Sequence, residues 1–237
     1  MKAVFFDALG TLFDSREPVG RVYAQIASEF GVDATEEQVT RAFRGAFASA
    51  GGLAFGPGHA PAELRRLERE WWHRLVERTF DGLGSFRNFD AFFGHLSEYF
   101  ANPASYRVDP EARPLLVRLR EEGAVLGVIS NFDFRLYHVL EGLGLSGLLD
   151  SITISSEVGF AKPDPRVFVA ALARHGLEPR DAMYVGDVAA LDVVGANAAG
   201  LTAVLLAREP AAPSASKARR VESLADVLSC WRSFQFA

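Results

Sequence analysis

The chain has 237 residues, 49% of them hydrophobic, a net charge of -5 and one cysteine, Cys230. That length suits one domain or one domain with an insertion, and the apolar content is enough to bury a full core. The acidic balance, without a basic run carrying interleaved aromatics, argues against a nucleic-acid partner. A lone cysteine excludes an internal disulfide and a cysteine-rich metal site, and it fits a reducing, cytoplasmic setting.

In chain order, an apolar strand at Lys2–Asp7 delivers Asp7 onto the Gly10-Thr11 turn. That is how a nucleophilic carboxylate is presented at the open end of a parallel sheet. Asp7 also interrupts the run, and no small-residue cleavage site follows, so the N-terminus does not read as a signal peptide. Nothing reaches transmembrane length, so no membrane partner is expected.

Residues 16–106 read as a helical insertion without a strand. Val19, Val22, Tyr23, Ile26, Ala27 and Phe30 recur at helical spacing, and Thr35 with Gln38 forms a capping box before the second helix. Leu64, Leu67, Trp71, Leu75 and Phe80 mark a third helix, and Phe89, Phe92, Phe93, Leu96 and Phe100 a fourth. Gly51 to His59 is a flexible connector. Four such helices close a small bundle over the open end of the sheet, where a cap excludes water and shapes substrate entry.

Four further apolar runs, Ala124–Ser130, Ser151–Ser155, Ala182–Asp187 and Thr202–Leu206, read as buried parallel strands. Helical patterns separate them: one after the Asp109-Pro110 cap, then 132–142, 165–176, 188–198 and 223–231. The expected fold is therefore α/β, a doubly wound parallel sheet built from residues 1–15 and 107–237, with residues 16–106 inserted as an all-α helical cap.

Chemistry-bearing residues collect at strand ends. Asp7 and Thr11 follow the first strand, Ser130 and Asn131 the second, and Asp187 ends the fourth with Asp192 in the next helix. Lysine occurs only at positions 2, 162 and 217. Lys217 sits in a Pro/Ala/Ser stretch that reads as loop, while Lys162 stands in Ala161-Lys162-Pro163-Asp164-Pro165. In an arginine-dominated chain, that ammonium suggests a need for a compact point charge. Several carboxylates and one ammonium at one sheet edge suit Mg²⁺ and a phosphoryl group. The five histidines show no paired ligand spacing, so zinc is not expected.

Asp7-Ala8-Leu9-Gly10-Thr11, Ser130-Asn131, Lys162-Pro163 and Gly186-Asp187 with Asp192 resemble, in this order, the four motifs of the haloacid dehalogenase superfamily, in its helical-cap branch. Pro18 to Tyr23, Trp71-Trp72 and Ile129 to Asp133 resemble a subgroup that lacks the second acid of the first motif. The resemblance implies a Rossmann-like core and a hydrolase. Asp7 would be the nucleophile and Lys162 would neutralise charge. Thr11, Ser130 and Asn131 would serve the substrate and the nucleophile turn. Asp7, the Leu9 carbonyl, Asp187 and Asp192 would hold or support Mg²⁺.

Leu9 stands where the family's general acid is expected. Loss of such help costs about 10²–10⁴-fold in rate, most for leaving groups that need a proton. Asp14 and Asp133 are the nearby acids that could substitute, although each also reads as a helix cap. A halide leaves without a proton, so a metal-independent 2-haloacid dehalogenase is the alternative to a Mg²⁺-dependent phosphatase of small phosphorylated metabolites. Asp187 favours the phosphatase, because an extra carboxylate without a cation repels both Asp7 and an anionic substrate. A weakened phospholigand-binding protein is the third reading. The partner expected is a small anionic molecule; its identity, and the oligomeric state, are not written in the sequence.

Overall fold

The computed structural model describes residues 2–208 and 218–235, so Lys217 lies outside the described residues. Strands β1 (Ala3–Phe6), β2 (Phe13–Ser15), β3 (Tyr106–Val108), β4 (Val125–Ser130), β5 (Ser151–Ile154), β6 (Ala182–Gly186), β7 (Thr202–Leu206) and β8 (Arg219–Val221) form two sheets. The larger has the order β5-β4-β1-β6-β7-β8, and every pair in it is parallel. This is the doubly wound α/β fold that the alternating strands and helices predict. β1 is central: Phe6 pairs with Val128 on one side and Val185 on the other. Its C-terminal end is the point where the strand order reverses, the natural ligand crevice of such a sheet.

Alternation along the strands fills both faces. Val4 and Phe6 join Leu116, Leu126 and Val128 on one side, while Phe5 joins Phe168 and Tyr184 on the other. Phe5 and Phe6 are fully buried, each contributing about 1.5–3 kcal/mol relative to exposure.

The helices are α1 (Val19–Glu29), α2 (Glu36–Ser49), α3 (Pro61–Thr79), α4 (Phe89–Ala101), α5 (Ala112–Glu121), α6 (Arg135–Gly142), α7 (Ser155–Val158), α8 (Pro165–Ala173), α9 (Val194–Ala198) and α10 (Val227–Gln235). Among the described residues no helix is long and apolar enough to cross a membrane. Helices α1–α4 pack around Val22, Tyr23, Val76, Phe80, Phe92 and Phe93. The capping box on α2 forms as expected: Gln38 N donates to Thr35 Oγ1 at 3.2 Å, and Thr35 N donates to Gln38 Oε1 at 2.9 Å.

Several expectations are corrected. β2 and β3, an antiparallel pair in the register Phe13 to Val108 and Asp14 to Arg107, bracket the helical insertion. Only three residues long, they carry no readable alternation. Asp14 is therefore a strand residue rather than a helix cap, and α1 begins after Pro18 without a side-chain cap. β8 escapes notice because only Val221 of its three residues is buried. α10 starts four residues later than its apolar pattern suggests, because Ser223 and Asp226 bond to each other in the preceding turn. Between β6 and α9, residues 189–193 form a wide π turn. It lets Asp192 reach back and accept from Val188 N at 2.8 Å.

Candidate active site

The turn after β1 is built by sterics. Asp7 N donates to Val185 O at 2.9 Å, continuing the sheet ladder one residue past the strand. Gly10 has φ +87°, and a Cβ there would sit 2.5 Å from Asp187 Oδ2, so both conformation and close approach demand glycine. Thr11 is fully buried and donates to Asp187 Oδ1 at 3.1 Å. It ties the first turn to the β6 end and does not itself face the cavity. Arg208, just beyond β7, donates to the carbonyls of Gly10 and Thr11 and pairs with Asp109 at 2.7 Å.

Lys162 is the hub. Its Nζ lies 2.8 Å from Asp7 Oδ1, 2.7 Å from Asp192 Oδ1 and 2.9 Å from Tyr184 Oη. Burial alone would lower its pKa, but the Asp7 and Asp192 carboxylates outweigh that and hold it above the usual lysine range. The ammonium therefore stays charged. Asn131 fixes the backbone beneath it: Lys162 N donates to Asn131 Oδ1 at 2.7 Å, and Asn131 Nδ2 donates to Lys162 O at 3.0 Å. The Asn131 amide is thereby occupied in positioning Lys162. Ser130, at the end of β4, lines the cavity, and its hydroxyl has no partner among the described residues.

Asp7, Asp187 and Asp192 each place a carboxylate oxygen within 4.8 Å of the others. Three carboxylates thus face one ammonium. Burial pushes Asp7 up, Lys162 pulls it down, and Asp192 pushes it up again; the net direction is upward. Asp187 is pushed up to about 6 by burial and then by Asp7 and Asp192. Asp7 Oδ1 is buried with no aligned hydrogen bond, only the charge contact to Lys162. Hard oxygen donors carrying uncompensated negative charge fit a divalent cation such as Mg²⁺. The Asp192 oxygens are already engaged, Oδ1 by Lys162 and Tyr184 and Oδ2 by Val188 N, so this residue enters the cluster as a support.

A cavity of about 600 Å³ opens from Asp7 and Lys162. Its far wall is aromatic, with Tyr23, Phe43, Phe47 and Trp72 from the helical insertion and Phe132 from the core. The Leu9 side chain faces it and remains 39% exposed. Phe55, His59 and Phe134 do not line it. Phe55 packs beside Trp71, His59 bonds the Phe55 carbonyl, and exposed Phe134 carries Arg65 stacked at 4.4 Å. The connector 51–59 docks on the core: Ser155 Oγ donates to Leu53 O at 2.7 Å, and a Cβ on Gly159 would strike Gly56.

Neither candidate substitute acid reaches Asp7 through a hydrogen bond or ion pair. Asp14 is held in β2, and Asp133 is consumed by Arg135 and by Trp72 Nε1, which donates to it at 2.6 Å. The sequence reading missed Tyr184, whose hydroxyl accepts from Lys162 and lies 3.0 Å from both Asp192 Oδ1 and Ile129 O. Its only signal was a phenol in an otherwise apolar strand. Arg208 and the Trp72–Asp133–Arg135 cluster were also missed, because each joins segments far apart in the chain.

A family model described as haloacid dehalogenase-like hydrolase matches residues 1–200. The haloacid dehalogenase-like hydrolase domain-containing protein 3 of Mus musculus is 35% identical over 87% of this chain and 82% of its own length. A glyceraldehyde 3-phosphate phosphatase of Methanopyrus kandleri is 30% identical over 88% of this chain and 84% of its own. The solved L-2-haloacid dehalogenase of Xanthobacter autotrophicus shares the fold, with TM-score 0.72, 20% identity and 98% coverage of each chain.

Proposed function

The chain belongs to the haloacid dehalogenase-like hydrolase family, and from that premise we propose that it is a Mg²⁺-dependent phosphatase of small phosphorylated metabolites. The observation that carries this reading is the Asp7–Asp187–Asp192 cluster, which faces a single ammonium and leaves negative charge for a cation to balance. The phosphatase activity named for the Methanopyrus relative supports it.

Asp7, Asp187 and the Leu9 carbonyl would hold the ion, with Asp192 behind them. When bound, Mg²⁺ supplies positive charge against the phosphoryl oxygens. Asp7 attacks phosphorus through a carboxylate oxygen, the ester oxygen leaves with its electron pair, and an aspartyl-phosphate forms on Asp7. Water then cleaves that acyl phosphate, releasing phosphate and restoring the carboxylate. Lys162 neutralises charge shared by Asp7 and the transferring group, and Ser130 donates to a phosphoryl oxygen. Thr11 and Arg208 keep the nucleophile turn in place, and Asn131, Tyr184 and Asp192 keep Lys162 in place. Residues 16–106 act as a cap over a core formed by 1–15 and 107–237.

Leu9 cannot protonate the departing oxygen. Substrates with good leaving groups, such as phenolates and acyl phosphates, are therefore favoured over sugar alkoxides. The same Leu9 also suits a halide, which keeps a 2-haloacid dehalogenase as the second reading; the carboxylate of Asp187 weighs against it. The test is p-nitrophenyl phosphate hydrolysis with Mg²⁺ and with EDTA, beside halide release from 2-chloropropionate. Mg²⁺-dependent phosphate release without halide release is expected. EDTA-insensitive turnover or chloride release would overturn the reading.

A further inference from the structure

The aromatic wall of the cavity contains two donors that no protein group uses. Arg135, at the start of α6, lines the cavity with its side chain 14% exposed. Its Nε donates to both oxygens of Asp133, at 2.8 and 3.1 Å, and Nη2 also donates to that carboxylate. The guanidinium carbon stacks 5.0 Å from the Trp72 ring, whose Nε1 bonds the same Asp133. Three hydrogen bonds and one stacking contact thus lock the plane of the guanidinium, yet Nη1 has no acceptor among the described residues. Tyr23 of α1 is 3% exposed and lines the same cavity, and its hydroxyl likewise has no partner among the described residues. The Arg135 charge is close enough to pull the Tyr23 hydroxyl downward against the rise that burial causes.

Unused donors that line an apolar cavity call for an acceptor once a ligand displaces the water there, because a polar group buried without a partner is costly. The rest of that wall is mostly hydrocarbon or ring, including Leu9, 39% exposed near the nucleophile, and Phe47, 47% exposed on the far side; the Ser15 and Tyr106 hydroxyls already donate to Glu17 O and Phe100 O. A polyol would bury most of its hydroxyls there without a partner. Asp133 already neutralises Arg135, so the acceptor need not be charged.

We infer that the substrate carries its phosphate on a flat, apolar body bearing a neutral carbonyl oxygen, and that Arg135 with Tyr23 receives this oxygen. The inference rests on the phosphatase reading and adds to it the class of group the ester oxygen bears. Arg135 and Tyr23 then act as specificity-determining binding residues that take no part in the phosphoryl chemistry.

The test uses two non-hydrolysable ligands that differ by the carbonyl oxygen, 4-acetylbenzylphosphonate and 4-ethylbenzylphosphonate. Their affinities for the whole protein in Mg²⁺ are measured by calorimetry, and their inhibition of p-nitrophenyl phosphate hydrolysis is measured in parallel. The acetyl compound is expected to bind about tenfold tighter, the size of one hydrogen bond to a charged donor. Tyr23→Phe removes one oxygen and keeps the ring; Arg135→Met removes the guanidinium and leaves Asp133 without its ion-pair partner. Each is expected to bring the acetyl-to-ethyl ratio towards one, and thermal melts report whether Arg135→Met remains folded. If the wild type binds both ligands equally, or if the preference survives Tyr23→Phe in full, the inference falls while p-nitrophenyl phosphate turnover leaves the phosphatase standing. Tenfold tighter binding of 4-carboxybenzylphosphonate than of the acetyl compound would overturn the neutral acceptor. Absence of any Mg²⁺-dependent turnover would remove the phosphatase reading and the inference together.

Discussion

The two walls of the central cavity obey different physics. On the sheet side, Lys162 sits within hydrogen-bond or ion-pair distance of Asp7, Asp192 and Tyr184, and charged and polar groups face one another. On the side of the helical insertion, rings predominate and polar atoms are few. The strand ends can hold charge because parallel strands bring distant residues together on a rigid frame. Helices of the insertion touch that frame through few polar contacts, such as Trp72 to Asp133, and offer shape instead. The proposed division is chemistry from the sheet and selection from the insertion.

The largest effect should come from Asp7→Asn, which removes the nucleophile while keeping the shape. A loss of about 10³-fold or more in kcat is expected, and retention of a tenth of the activity would break the division at its root. Lys162→Met comes next. A drop of about 10²–10³-fold in kcat is expected from the lost positive charge. A loss of about 3–5 kcal/mol in urea unfolding should accompany it, since Asp7 and Asp192 then face each other unpaired in the buried cluster. A fully stable variant would mean that Lys162 does not hold the carboxylates together.

Leu9→Asp sharpens the comparison by adding an acid at the boundary between the two walls. Alkyl phosphate hydrolysis should rise by up to about 10²-fold, with a smaller gain on p-nitrophenyl phosphate, because only the alkoxide needs the proton. Equal gains on both substrates would show that Leu9 does not limit leaving-group departure.

The smallest effect concerns the seam between the walls. Glu68 of α3 is 1% exposed, and neither carboxylate oxygen has a hydrogen-bond partner; Ser156 approaches it without completing one. Burial holds its carboxyl above the usual range, with the Asp133 charge adding to the effect. The folded state therefore binds this proton more tightly than the unfolded chain does. The resulting destabilisation is absent below the ordinary glutamate pKa of about 4.3 and grows as pH rises through the folded value. Glu68→Gln should raise stability by about 1 kcal/mol at neutral pH and leave it unchanged near pH 4. An equal difference at both pH values, read from thermal melts, would assign the effect to packing.

The strands were readable from sequence because a parallel strand covered on both faces has no polar positions to confuse the pattern. Their ends were readable for the same reason: Asp7, Ser130 and Asp187 stand out where hydrocarbon stops. β2, β3 and β8 were not readable, since three residues are too few to show a period. Asn131 and Thr11 bond to protein partners, Lys162 and Asp187, and no spacing in the sequence conveys that.

By itself the sequence determined the order of the five buried strands and the helices between them, the carboxylate at position 7 and the leucine at position 9, because periodicity and turn chemistry are local properties of a chain. Only the tertiary structure decided that Tyr184 and Arg208 brace the site, that Asp133 is spent on Trp72 and Arg135, and that Arg135 and Tyr23 keep donors free. Those facts depend on which distant side chains meet and on which hydrogen-bonding atoms remain after they have met. The packing of the sheet against the insertion sets both.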